Sequence, residues 1–303
     1  LELATAFSLG AVTFRPFHTA RFTWYDRTTS DRSGDRWAFS TGVQAGSRFQ
    51  RTFEWLDDAG ESQSLRHVIV PQVTFEHVYK VDGEPGQFAA FDQTDSLDEQ
   101  ALTRFTLLNR IQRSNPETGL PEDVIWLDLV QNVLPIASRD NGGDELGLFE
   151  YELIVNPIPS WSSMPGIELL VEGEHDWNRG ENRTFNSRIA IQPTEQLNLF
   201  AGYRTDQVND GQVDFGGVAR VRDRWTLFGG GQYDLENSEV LTYLARIGRR
   251  DRNWELGLTV NFDDVADEVR IRLDFTPLLI GLRPSRNYGF QGGSETWGSA
   301  NRF

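Results

Sequence analysis

Cysteine is absent from the 303 residues. That excludes disulfide frameworks, thiolate zinc sites and cysteine nucleophiles together. It says nothing of redox compartment, because a chain without cysteine suits the periplasm and the cytosol alike. Lysine is nearly absent: Lys80 is the one lysine, so 28 of the 29 basic residues are arginine. Arginine presents a planar fork to carboxylate and phosphate, where lysine presents a point charge; biased base composition is the plainer explanation. Positive charge is scarce overall, with a formal net charge of -16, and a nucleic-acid binder usually carries a basic face. Long apolar runs are missing too. Val68-Ile69-Val70 and the stretch 277–282 fall far short of the ~20 residues a spanning helix needs. No helical membrane protein fits. The sequence opens on Leu1, which is no initiator and follows no signal pattern, so a processed chain or a piece of a longer one is expected.

What is present is aromatic and alternating. With 20 Phe, 9 Trp and 7 Tyr, the chain is too rich in large apolar side chains to be disordered. Trp254, Leu256, Leu258, Val260 and Phe262 share one parity, against Glu255, Gly257, Thr259 and Asn261. Val269, Ile271, Leu273 and Phe275 repeat it against Glu268, Arg270, Arg272 and Asp274. A period of two places side chains on the two faces of a strand, and no helix does so. The same pattern runs through 167–176, 185–192, 197–203, 213–221, 225–233 and 241–247, and more loosely through seven candidate stretches before residue 157. One of these, 36–55, reads as a long strand or a hairpin. The connections in the second half are too short for parallel crossovers, so neighbours must pair as antiparallel hairpins.

The expectation is an all-β, up-and-down antiparallel sheet of about 14–16 strands. Strands and loops occupy 1–283, a Gly/Ser-rich tail occupies 284–303, and no domain boundary or convincing helix is seen. A soluble sandwich also alternates, but three features favour a transmembrane β-barrel or part of a larger one. Charged residues such as Glu168, Glu172, Glu174 and Asp176 lie in rows within strands, as a water-filled lumen permits. The strands are long enough for a tilted span of ~9–11 residues. Trp225, Tyr233 and Trp254 mark strand ends, as interfacial aromatics do. Leu258 is then expected to face lipid and to reject an arginine, and Thr259 to face inward and accept one.

Several segments carry a family resemblance. Arg66-His67-Val68-Ile69-Val70-Pro71-Gln72-Val73-Thr74-Phe75 resembles the R-H-x-x-x-P-x-x-x-Y strand of the LptD (OstA-like) lipopolysaccharide-assembly proteins of the outer membrane. Phe91-Asp92, Leu108-Asn109-Arg110, Phe200-Ala201-Gly202-Tyr203-Arg204, Arg224-Trp225 and Gly231-Gln232-Tyr233-Asp234 follow in the family's order. Arg250-Asp251-Arg252-Asn253-Trp254 stands where it has a tight turn leading to Cys-Trp, with Asn253 in place of the cysteine. The resemblance implies a Gram-negative outer-membrane barrel that is no enzyme and needs no cofactor. It would insert lipopolysaccharide into the outer leaflet through an opening between its first and last strands. It also implies a lipoprotein plug in the lumen and a periplasmic bridge as partners. The family's N-terminal jellyroll is not visible here, its barrel has more strands, and without cysteine it cannot be disulfide-tethered within this chain. A passive porin-like channel is the alternative reading, and a soluble β-sheet binding protein the third.

Other chemistry is thin. His18, His67, His77 and His175 are scattered, and ten residues of strand hold His67 and His77 roughly 33 Å apart, so no shared metal is expected. The segment Asp206 to Asp214 has Val208 at the third position of a calcium loop and reads as a polar turn. Gly229-Gly230-Gly231 reads as a strand segment allowing close approach or a bulge. The one ligand signal is arginine at two turns, Arg220, Arg222 and Arg224, then Arg249, Arg250 and Arg252. These are candidate contacts for lipid phosphate, set against ordinary turn charge that Asp223 and Asp251 would neutralise.

Overall fold

The computed structural model describes residues 1–25, 34–56, 62–82, 98–114, 119–156, 166–194, 196–206, 211–222 and 224–277. Strand segments follow one another as β1 Glu2–Ala4, β2 Phe7–Leu9, β3 Val12–Tyr25, β4 Gly34–Gly46, β5 Phe49–Leu56, β6 Ser62–Val81, β7 Gln100–Ser114, β8 Pro121–Val133 and β9 Leu146–Val155. They continue as β10 Gly166–Asp176, β11 Glu181–Thr194, β12 Leu197–Asp206, β13 Gln212–Val221, β14 Trp225–Asp234, β15 Glu239–Arg250, β16 Trp254–Asp263 and β17 Glu268–Pro277. Among the described residues the one helix is a single turn, α1 Ala137–Asp140, in the β8–β9 connection. All pairings are antiparallel, and from β6 to β17 each strand pairs with the next.

Two staves are interrupted. β1 and β2 both lie along β3 (Leu3 opposite His18, Ser8 opposite Thr13). β4 and β5 both lie along the 20-residue β6, so 36–55 belongs to one long stave with a gap. The gap, at Ser47-Arg48, falls opposite Pro71. Proline has no N–H for the ladder and sits where pairing is broken; here its carbonyl accepts from the Ser47 N–H at 3.1 Å. With each interrupted stave counted once, the 17 segments form 15 staves.

Closure is where the expectation is corrected. Among the described residues β17 has a register with β16 alone, and β1 and β2 with β3 alone. The sheet is open rather than a closed barrel. With 15 described staves in an antiparallel meander, the first and last run the same way, so closing them on one another would need a parallel pair. Phe91-Asp92 and the tail 284–303 lie outside the described residues.

The registers sort the side chains into two faces. Leu199, Phe215, Leu227, Tyr243, Leu258 and Ile271 stand on one face of consecutive strands and are all exposed. The opposite face carries Gly202, Gly230, Gly257 and Thr259 and, toward the N-terminal part of the sheet, Ser40 and Arg36. Thr259 is 7% exposed and Arg36 only 2%. The polar face is therefore the enclosed, concave one, and the apolar face is turned outward. That inverts the arrangement of a soluble domain, where burial selects the apolar face.

Candidate functional site: the polar face and an arginine rim

On the concave face, strand pairing sets carboxylates side by side. Asp128, Glu152 and Glu172 are consecutive partners across β8, β9 and β10, and Glu150 faces Glu174 in the adjacent row. They line an open depression of about 320 Å³ with Asn186, whose amide donates to Glu172 at 3.3 Å. Like charges directly opposite one another are destabilising on a sheet, and water on an open face relieves that cost. The acidic row expected at 168–176 is thus part of a wider wall to which β8 and β9 also contribute. Sequence reasoning missed those partners, because only the register brings Asp128 and Glu150 beside it.

The residues that carry the family resemblance are brought together on β6, β7 and β8. Arg66 donates to Gln112 Oε1 at 2.7 Å, and Gln112 donates to Asp123 at 3.0 Å. Asp123 also takes a two-pronged ion pair from Arg110, through Nε at 2.8 Å and Nη2 at 2.5 Å. The Arg110 guanidinium lies 4.7 Å from the Trp126 ring. Such bidentate pairs fix geometry as well as charge. His67 and Asn109 point to the other face and bond each other at 2.9 Å, so each satisfies the other's polarity there. Farther along, Arg204 donates to Gln212 at 2.9 Å. Asp234 ends β14 by accepting the amides of Glu236 and Asn237 at 2.8 and 3.1 Å.

The arginine turns do converge. Arg224 and Arg250 are neighbours through a 2.8 Å backbone bond, and Trp225 stands opposite Arg249. Arg249 lies on the apolar side of β15, its guanidinium 5.3 Å from the Trp225 ring and 5.6 Å from that of Trp254. Its Nε is buried without a hydrogen-bond partner. Asp251 reaches Arg224 and Arg249 only at 4.0 and 3.9 Å, long contacts that leave both donors largely unspent. Arg220, Arg222, Arg250 and Arg252 are exposed. Asp223 lies outside the described residues.

The histidines stay apart from any ligand set, and among the described residues no cluster of metal-ligating side chains forms. Gly230 shows the predicted close approach: a Cβ there would lie 2.7 Å from the Phe215 carbonyl, whereas at Gly229 it would meet nothing within 4 Å. The loop 134–145 is tied to the sheet by Asp140, which accepts the Ala101 amide at 2.9 Å and pairs with Arg139. The Arg139 hydrogen bond, more than the Ala101 amide, holds this carboxyl below the ordinary range. Three hairpins share one design that the sequence reading did not single out. A strand-ending Asp176, Asp234 or Asp263 accepts turn amides, and Gly180, Ser238 or Asp267 follows four residues later with positive φ. That Asp-to-Gly/Ser/Asp spacing is the legible signal, because a carboxylate closes the turn and small or Asx residues tolerate the left-handed region. No protein-family model and no curated protein matches this sequence.

Proposed function

We propose that this chain forms part of the wall of a bacterial outer-membrane β-barrel that inserts lipopolysaccharide into the outer leaflet, acting by passage rather than by catalysis. One observation carries the membrane reading: an apolar face runs across the sheet, exposed on β1 to β7 and β10 to β17 and half-buried on β8 and β9, behind a polar concave face. Exposed apolar surface beyond a few hundred Å² marks an interaction surface, and a sheet-wide one suits lipid. Phe22, Trp24, Trp37 and Tyr79 edge it at one end, Trp225 and Trp254 at the other. Ten residues separate Phe14 from Trp24 on β3, about 34 Å along the strand, or near 26 Å after a ~40° tilt, which matches the ~25 Å apolar band of such barrels. The lipopolysaccharide part rests on the resemblance, whose Arg66-His67 and Asn109-Arg110 pairs contact one another or share the Gln112–Asp123 network. The chain's partners on this reading are lipopolysaccharide, outer-membrane lipid, a lumen plug lipoprotein and a periplasmic bridge. Closure is then completed by strands beyond those described.

Depletion in a cell that makes lipopolysaccharide and has no second copy is the test. The fraction of lipopolysaccharide at the surface should fall, and large apolar antibiotics should enter. A passive channel, favoured by the charged rows of the concave face, has the opposite signature. Its loss reduces small-solute entry and leaves surface lipopolysaccharide unchanged, an outcome that sinks the proposal.

A further inference from the structure

The arginine rim sits at a definable end of the sheet. The seven connections at its end hold 31 residues between strand bounds, and the seven at the opposite end hold 55. Outer-membrane barrels put short turns at the periplasmic side and longer loops outside. On the membrane reading, which this inference rests on, the Trp225–Arg249–Trp254 rim therefore meets the periplasm-facing leaflet.

We infer that this rim binds the phosphate of an anionic phospholipid in that leaflet, rather than lipopolysaccharide. Arg249 projects from the apolar face between two indoles, the geometry of a long side chain snorkelling at an interface. Its Nε is closed off by protein, but the side chain as a whole is 41% exposed, so a phosphate oxygen meets the terminal guanidinium nitrogens. Arg222 and Arg224 in the first turn and Arg252 in the second extend the anion site into the headgroup layer, where they are exposed. Leu227, Ile247 and Leu256 continue the apolar face above the rim, so acyl chains lie against them while the phosphate is held below. The charge is local: in a protein of net charge -16, Arg222, Arg224, Arg249, Arg250 and Arg252 stand together here. The described carboxylates beside them are Asp251, at long range from Arg224 and Arg249, and Glu255, opposite Arg250. At the opposing end, three of the hairpins are closed by the carboxylates of Asp176, Asp234 and Asp263.

The experiment uses the full chain purified in detergent. Phosphatidylglycerol is titrated in and bound lipid counted by native mass spectrometry, with wild type beside Arg222→Gln/Arg224→Gln/Arg249→Gln. Each arginine near an anionic lipid is worth roughly a fivefold change in affinity, so the triple variant should hold the lipid on the order of a hundredfold more weakly. Arg249→Lys keeps the charge but loses the fork, and should fall between. An unchanged triple variant overturns the inference. So does displacement of the lipid by millimolar inorganic phosphate, which marks a free-anion site, and so does tighter binding of lipopolysaccharide than of phosphatidylglycerol. A protein that stays monomeric in plain buffer and takes up no detergent defeats the membrane reading itself, and this inference with it. A detergent-requiring protein with indifferent arginines defeats this inference alone.

Discussion

Leu258 and Thr259 are adjacent in β16 and live in opposite surroundings. Leu258 is 40% exposed and lies midway between Trp254 and Phe262, whereas Thr259 is 7% exposed. An arginine at Leu258 should cost about 2–4 kcal/mol if that position sits at the bilayer midplane. Alternation alone suggests that an inward arginine at Thr259 is harmless. The register shows otherwise, because Thr259 stands between Arg246 and Arg272, and a third guanidinium there is both crowded and like-charged. Thr184, also on the polar face, stands between Glu174 and Asp206, and an arginine there gains opposite charges on both sides. Thr184→Arg should therefore leave the urea midpoint of the folded protein unchanged or raise it, while Leu258→Arg lowers it. Equal effects of the two substitutions would show the faces to be misassigned.

Within one element, the glycine run of β14 separates packing from propensity. Gly230 pairs with Gly216, and this bare patch of the polar face leaves room for Phe200 and Phe228, which stack at 6.2 Å. A Cβ at Gly230 would meet backbone at 2.7 Å and the Phe228 ring at 3.2 Å. Overpacking of this kind costs about 1–3 kcal/mol. Gly229 turns the other way into open space, and alanine there removes the roughly 0.5–1 kcal/mol that glycine costs inside a strand. Gly230→Ala should thus unfold at lower denaturant and Gly229→Ala at equal or higher denaturant. The reverse order would mean that β14 is slipped by one residue, since a one-residue slip exchanges the faces.

At the scale of the whole molecule, the edges are the telling feature. β14 is paired on both sides, whereas β17 is paired only with β16, and Ile271 on it is 71% exposed. An edge strand presents a row of unpaired N–H and C=O groups. In hydrogen exchange on the isolated chain, without the strands that would close the proposed barrel, the β17 amides turned away from β16 should exchange fast while those of β14 stay protected. Protection of both β17 sets to the level of β14 would show that another strand lies against it, and the open sheet would then be wrong for the protein in solution.

The sequence by itself determined the all-β class, the hairpin connectivity, the approximate number of staves and the two-faced strands. These are local properties: a period of two and a short turn are written in consecutive residues. The Gly230 approach was legible for the same reason, and the two arginine turns were visible as separate clusters. Only the tertiary structure decided which residues stand beside one another across strands. The wall built by Asp128, Glu150 and Glu152, the link from Arg66 through Gln112 to Asp123, and Arg249 between two indoles all join segments far apart in the chain. It also decided the break opposite Pro71 and the open edges. Register is set by pairing energy summed along whole strands and by turn geometry, and closure depends on the number and direction of all staves at once. Neither quantity exists in any local stretch of sequence.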